Sequence, residues 1–412
     1  MRTAAEISAN AATIGKAFGR VSMAKLPFKL VSADSHIVEP PDLWTARMDA
    51  KFRDRAPRIL PGVNGHEFHC EGTAIPQKGI GLMATNKKYT APDDLYFSMD
   101  GDWADVPRGG YDPDARIKEL DEEGIEAELL YTSLGLVMYT IPDAEFQHAC
   151  FRAFNDWLAD YCTTAPKRLF GVAMIPPNSP ELAVAELERC AKLGLRGAMI
   201  SIDETSERGY NHPDFDPLWS AAEAHAIPIS LHVAASTESF RRTSSAFADF
   251  SLGFAPTMFT VATMIFDGLF DRHPKLKVIS VENDAAWPLP MLERMDDRFL
   301  RDQGWAGESR GLSSKKVPSD VFHEHVACTF MRDRTAIVNR EIIGAKNIMW
   351  GSDYPHFDGG WPGAAALLAA QFDGVPLADQ VRIGRTNCIE FYDLPLETRP
   401  EEITESLAAA AS

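Results

Sequence analysis

Short apolar runs alternate with longer stretches of helical periodicity along most of the chain. The runs are 29–33, 127–131, 169–175, 197–202, 227–233, 276–281, 325–330 and 347–351. Several are rich in Val and Ile, alternate little between apolar and polar positions, and end in polar or small residues. That is the pattern of strands buried on both faces of a parallel sheet. Helices are predicted between them over 112–123, 143–164, 179–193, 215–225, 256–272 and 288–301. Asp112-Pro113 and Ser179-Pro180 each place a capping residue before a proline at a helix start, and Gly194 stands where a glycine stop belongs. Eight strands, most followed by a helix, predict a (β/α)8 TIM barrel with its working residues at the strands' C-terminal ends. A doubly wound open sheet is the alternative, but no Gly-x-Gly-x-x-Gly turn follows the first run.

One segment interrupts the alternation. Residues 51–110 are rich in Gly, Pro, Asp and Lys, with β-like pieces around 66–70. Lying between the first strand and the first helix, they read as an insertion over the catalytic face, where long loops act as lids or substrate walls. The chain then divides into an N-terminal extension (1–28), a barrel domain (29–394) carrying the insertion, and an acidic, Ala-rich tail (395–412).

Composition narrows the function. A chain of 412 residues that is 45% hydrophobic can bury a full core, and a formal net charge of −18 argues against binding a phosphate backbone or an anionic membrane. A small acidic substrate held by local cations or a metal stays open. The six cysteines are scattered with no Cys-x-x-Cys pair, which fits buried thiols in a reducing compartment. The N-terminus lacks the continuous apolar core of a secretion signal, and the apolar runs read as too short and too often broken to cross a bilayer. A cytoplasmic enzyme is expected.

Polar residues at the strand ends form a coherent set. The first strand ends in Asp34-Ser35-His36, and residues i and i+2 of a strand point to one side, so Asp34 and His36 converge. The fifth ends at His232, the sixth at Glu282-Asn283-Asp284, and the eighth at Ser352-Asp353-Tyr354-Pro355-His356. In a closed barrel these ends meet around one axis. Asp34, His36, His232 and Asp353 together suit Zn²⁺, Fe²⁺ or Mn²⁺ with water in the open position. Each element alone has a structural reading, such as a capped loop or a satisfied core histidine; the four together point to a metal.

The segments Ala-Asp-Ser-His-Ile-Val-Glu-Pro (33–40), Tyr-Asp-Pro-Asp-Ala-Arg-Ile-Lys-Glu-Leu-Asp (111–121), Arg-Leu-Phe-Gly-Val-Ala-Met-Ile-Pro (168–176), Pro-Glu-Leu-Ala-Val-Ala-Glu-Leu-Glu-Arg-Cys (180–190), His-Pro-Lys-Leu-Lys-Val (273–278) and Trp-Gly-Ser-Asp-Tyr-Pro-His (350–356) carry a family resemblance. In these the chain resembles the amidohydrolase-related family that includes aminocarboxymuconate semialdehyde decarboxylase and γ-resorcylate decarboxylase. The resemblance implies a distorted (β/α)8 barrel, one divalent metal held by Asp34, His36, His232 and Asp353, and a homodimer. Where the family's decarboxylases have a catalytic histidine after the sixth strand, this chain has Glu282. Glu282 then reads as a general base, a further metal ligand, or a structural partner of Arg294 or a backbone amide. His356 reads as a partner orienting Asp353, as a substrate contact, or as an ordinary loop histidine. Glu39 reads as a loop anchor. Arg47, Arg241, Arg242 and Arg332 lie near catalytic-face loops, and nothing in the sequence selects among them as a carboxylate partner.

The leading expectation is a metal-dependent decarboxylase or hydrolase of a small aromatic or ring-cleavage-derived acid. Zinc is the first choice of metal, with manganese or iron as options, and Asp353, Glu282 and His356 are the expected catalytic groups. One alternative is a dinuclear non-heme iron oxygenase, with Glu282 and His356 as extra ligands. Another is an inactive barrel that serves as a binding scaffold.

Overall fold

The computed structural model describes residues 26–85, 99–203, 209–237, 243–302, 316–359, 361–399 and 403. Most of the expected N-terminal extension and tail, together with Arg241 and Arg242, lies outside them. The first strand, β1 (Leu30–His36), is buried along its whole length. It is followed by an antiparallel sheet of β2 (Arg58–Gly62), β3 (Gly65–His69) and β4 (Gln77–Gly79), which sits where the insertion was expected. The remaining strands are β5 (Ile125–Tyr131), β6 (Leu169–Met174), β7 (Gly197–Ile200), β8 (Ile229–His232), β9 (Val278–Val281), β10 (Val326–Phe330) and β11 (Ile348–Trp350). Together with β1 they form one eight-stranded sheet in the order β1-β5-β6-β7-β8-β9-β10-β11. All eight coincide with predicted runs. Neighbours pair in parallel, with His232 opposite Val281 and Phe330 opposite Trp350. The seam between β11 and β1 is bridged just past the strand end, where Asp353 N–H donates to the Asp34 carbonyl at 2.9 Å and His36 N–H to the Tyr354 carbonyl at 2.7 Å. The sheet therefore curls into a barrel, drawn tight where the polar residues lie.

Helices cover the outside because their sequences start and stop them cleanly. In α1 (Pro113–Glu123) the Asp112 carboxylate accepts from Asp114 N–H at 3.0 Å and Ala115 N–H at 3.2 Å, ahead of a proline at the first position. α2 (Ala144–Cys162) is capped by Asp143, and α3 (Pro180–Leu193) by Ser179; α3 ends at Gly194 with φ of 91°, a left-handed conformation that costs glycine little. Replacing Asp112 by Ala is expected to lower stability by about 1 kcal/mol in denaturant melts, with no change in metal content.

Two expectations need correction. The single helix predicted over 256–272 is two, α4 (Ala255–Phe266) and a short turn at Leu269–Arg272, because Gly268 takes a φ of 67° and breaks the run. The stretch Ala246–Phe266 is long and apolar enough to cross a membrane by length and composition, with a mean hydropathy of 1.3, so not every apolar run is too short. Here it folds as Ala246–Ser251 followed by α4, whose Val261, Met264 and Ile265 are buried. All six cysteines are buried free thiols, filling space as small apolar residues.

Candidate metal centre

β1 brings Asp34 and His36 to the C-terminal mouth, β8 brings His232, and the turns after β9 and β11 bring Glu282, Asp353 and His356. The structure places all six of these sequence-predicted residues together. His36 Nε2 lies 3.2 Å from His232 Nε2, 3.3 Å from Asp353 Oδ1, and 3.7 Å from both Asp34 Oδ1 and Glu282 Oε2. His232 Nε2 lies 3.7 Å from Asp34 Oδ1 and 3.4 Å from Glu282 Oε2. Ligand atoms fall into two overlapping sets, Asp34–His36–His232 and His36–Glu282–Asp353–His356, each with its atoms within 4.8 Å of one another.

Hydrogen bonds fix which nitrogen of each ring is free. His36 Nδ1 lies 2.6 Å from the Thr132 carbonyl and His232 Nδ1 lies 2.7 Å from the Val233 carbonyl. A carbonyl only accepts, so both rings carry their proton on Nδ1 and aim the Nε2 lone pair into the cluster. Two lone pairs at 3.2 Å repel unless a cation or a proton lies between them. Around them Asp34 Oδ1 and both Asp353 oxygens are buried without a hydrogen-bond partner. Orphaned acceptors converging on opposed imidazoles are what a divalent ion satisfies, so the donor set fits one.

The backbone works to hold these groups. Glu282 and Asp353 take φ of 56° and 55°, left-handed values that cost an ordinary residue roughly 1–2 kcal/mol. Asn283 steadies the first turn by donating to the Leu231 and Val281 carbonyls at 3.3 and 2.8 Å. Thr329 on β10 accepts from Glu282 N–H at 2.9 Å and donates to Asp34 Oδ2 at 3.4 Å. Glu39 is fully buried and accepts from the backbone N–H groups of Ser133, Leu134 and Gly135 at 3.0–3.2 Å and from the Thr132 hydroxyl. That is the anchor expected of it: it fixes the segment whose Thr132 carbonyl orients His36. Glu282 faces the two imidazoles, not Arg294.

His356 completes the cluster. Its ring stacks on His36 with centroids 3.8 Å apart, its Nδ1 lies 3.1 Å from Asp353 Oδ1, and its Nε2 lies 2.8 Å from Ser133 Oγ. Ser133 donates to the Ile37 carbonyl at 2.6 Å, so His356 Nε2 is the donor to Ser133. The Nδ1 face is then left to share a proton with Asp353. Sequence reasoning missed Thr329 and Ser133 because hydroxyls at strand ends are common.

Burial dominates the electrostatics. It raises Glu282 to about 8, with Asp34 adding to the rise and His232 opposing it. Asp353 is pushed well above the ordinary carboxylate range by burial and then by Glu282 and Asp34. Burial and the neighbouring His356 and His232 hold His36 well below an ordinary imidazole. For His232 burial works the same way, but Asp34 and Glu282 outweigh it and raise the value. The sign for Glu282 follows. The unfolded chain releases this proton near 4.5 and the metal-free fold near 8, so between those values the folded state binds more protons and stability falls as pH rises. Melting temperatures of metal-free protein are expected to drop from pH 5.5 to 8, and divalent metal, which displaces the proton, is expected to abolish most of the drop.

Arg47 is committed to an ion pair with Asp160 at 2.7 Å, and Arg332 is exposed and donates to the Asp358 carbonyl at 2.8 Å. Arg332 still lies close enough to Asp353 for its charge to be felt there.

A parallel eight-stranded barrel with imidazoles and carboxylates gathered past its first, fifth, sixth and eighth strands defines a metal-dependent (β/α)8 enzyme. The chain belongs to the amidohydrolase family, whose model matches residues 68–394. Among curated relatives, the γ-resorcylate decarboxylase of Polaromonas sp. (strain JS666) is 30% identical over 281 residues, spanning 65% of this chain and 84% of the relative. The 2-amino-3-carboxymuconate-6-semialdehyde decarboxylase of Dictyostelium discoideum is 25% identical over 254 residues, spanning 60% of this chain and 67% of the relative. The resemblance drawn from sequence motifs is thus correct. Among solved structures, an amidohydrolase (map2389c) from Mycobacterium avium subsp. paratuberculosis K-10 superposes with a TM-score of 0.71 at 21% identity, covering 89% of this chain and 99% of that one. The dihydroxybenzoic acid decarboxylase of Polaromonas sp. JS666, with bound manganese and the inhibitor 2-nitroresorcinol, gives a TM-score of 0.59 at 22% identity, covering 91% and 99%.

Proposed function

We propose that the protein is a metal-dependent decarboxylase of a small aromatic acid, working at the mouth of its barrel. The observation that carries this reading is the pair of imidazole nitrogens 3.2 Å apart, ringed by carboxylates whose oxygens lack hydrogen-bond donors. Relatives named as decarboxylases of γ-resorcylate support the substrate class. Asp34, His36, His232 and Asp353 would hold the ion, with Glu282 beside them. The metal is zinc or manganese: imidazoles suit zinc, carboxylates suit manganese, and the Polaromonas structure binds manganese. When bound, the ion supplies Lewis acidity toward the substrate's carboxylate and adjacent oxygen. The chain supplies the proton. Asp353 is placed to pass a proton to the ring carbon as carbon dioxide leaves. His356, 3.1 Å away and hydrogen-bonded to Ser133, is placed to restore it.

Metal analysis of the purified protein, followed by carbon dioxide release from 2,6-dihydroxybenzoate and 5-carboxyvanillate, tests the reading. About one zinc or manganese per chain and chelator-sensitive release is expected. Two irons per chain with oxygen uptake would favour the oxygenase alternative, and absence of metal binding would revive the scaffold. The buried free thiols agree with a cytoplasmic location. The exposure of the large apolar side chains Phe247, Phe250 and Phe259 agrees with a homodimer, which light scattering would measure.

A further inference from the structure

The site so far described carries more negative charge than one divalent ion neutralises. Asp34, Glu282 and Asp353 bring three carboxyl groups to it. With a divalent ion and all three ionised the sum is negative, yet the proposed substrate is itself an anion. A further cation is called for, and among the described residues few lie close enough. Arg116 is spent on Glu128, with Nε–Oε1 at 2.5 Å, and Arg332, though its charge reaches Asp353 and Asp284, is exposed and donates to the Asp358 carbonyl.

Lys78 is differently placed. In the antiparallel insertion sheet it stands directly opposite Phe68. Opposed residues of two strands share one face, and the Phe68 face is the inner one: Phe68 is fully buried and its ring packs 5.4 Å from Trp44. Lys78 is thus a partly buried lysine on the inward face of a sheet, between exposed Gln77 and fully buried Ile80. The chain that follows β4 is tied to the loop carrying Asp353 and His356. Phe357 N–H donates to the Leu82 carbonyl at 3.0 Å, and the Thr85 hydroxyl donates to the Pro355 carbonyl at 3.1 Å. The ammonium makes no ion pair within 4.0 Å with any described carboxylate. It is nonetheless close enough to Glu39, Glu282 and His356 for its charge to be felt at each, while burial works against that charge. Among the described residues the ammonium has no partner in contact, and a buried cation is unfavourable unless something anionic completes it.

We propose that Lys78, delivered by the inserted sheet, is the contact for the carboxylate of the substrate and makes the site selective for aromatic acids over their neutral ring counterparts. This rests on the reading of the protein as an aromatic acid decarboxylase. The insertion is then a wall that brings the missing positive charge to the barrel mouth.

The test compares manganese-loaded wild type with Lys78→Met, Lys78→Gln and Lys78→Arg. Ligands are 2,6-dihydroxybenzoate, 5-carboxyvanillate and resorcinol, the last being the first without its carboxylate. Binding is read by calorimetry and metal content by elemental analysis. A charge-assisted hydrogen bond of ordinary strength predicts that Met and Gln weaken carboxylate binding roughly 10- to 100-fold and leave resorcinol within about threefold. Arg is expected to recover much of the loss, and all variants to keep wild-type manganese. A merely structural lysine would weaken acid and neutral ligand together. Equal discrimination in wild type and in every folded variant overturns the role of Lys78 alone. Wild type that binds neither acid overturns the aromatic acid reading, and the Lys78 assignment with it.

Discussion

Asp353→Asn is expected to lower turnover by about a hundred- to ten-thousand-fold, the range for loss of a positioned acid or base. The change is isosteric, so packing at this fully buried position is retained. What is lost is the exchangeable proton and one anionic oxygen. Asp353 is the group whose two oxygens are both buried without a hydrogen-bond donor, and whose Oδ1 lies 3.3 Å from His36 Nε2 and 3.1 Å from His356 Nδ1. Asn still offers a carbonyl oxygen to a metal, and Asp34, His36 and His232 remain, so part of the metal is expected to stay. His232→Ala removes a ligand outright and is expected to lose metal and activity together. Measuring metal content beside turnover separates the two variants. Full activity in either would remove the metal site from the mechanism.

Much of this site was legible because it obeys two simple periodicities. Buried parallel strands read as continuous apolar runs, and their C-terminal ends must meet in a barrel. Asp34, His36, His232, Glu282, Asp353 and His356 could therefore be grouped before any coordinate was known. The i, i+2 spacing of Asp34 and His36 was enough to place both on one side of β1. The illegible parts depend on how segments distant in sequence pack. Left-handed turns at Glu282 and Asp353 have no glycine to announce them; they are held by long-range bonds such as Asp353 N–H to the Asp34 carbonyl. Lys78 was hidden because a three-residue strand has no visible period, and its inward face exists only through pairing with β3. The break at Gly268 falls inside a run whose apolar pattern continues past it, and a lone glycine in such a run does not by itself end a helix.

The site also leans on a support that lies within the 111–121 motif but whose role its sequence does not reveal. Arg116 of α1 is fully buried and pairs with Glu128 of β5, with Nε–Oε1 at 2.5 Å and Nη2–Oε2 at 2.9 Å. Its Nη1 donates to the His36 carbonyl at 2.8 Å, and its guanidinium lies 4.3 Å from the Tyr354 ring centroid. One side chain thus braces both the end of β1 and the turn that carries Asp353. Arg116→Met is expected to cost roughly 3–5 kcal/mol in stability, because it leaves the Glu128 carboxylate buried and unpaired. Removing both charges, in Arg116→Met with Glu128→Leu, is expected to restore most of that loss, since an apolar pair avoids the desolvation penalty of the ions. Activity is expected to behave differently. The double variant still lacks the donor to His36 and the cation over Tyr354, so its turnover should stay well below wild type despite a near-normal denaturation midpoint. Stability and turnover recovering together would mean that Arg116 serves the fold alone. A stable protein with a slow site would show that the pair is kept for where it holds the metal ligands.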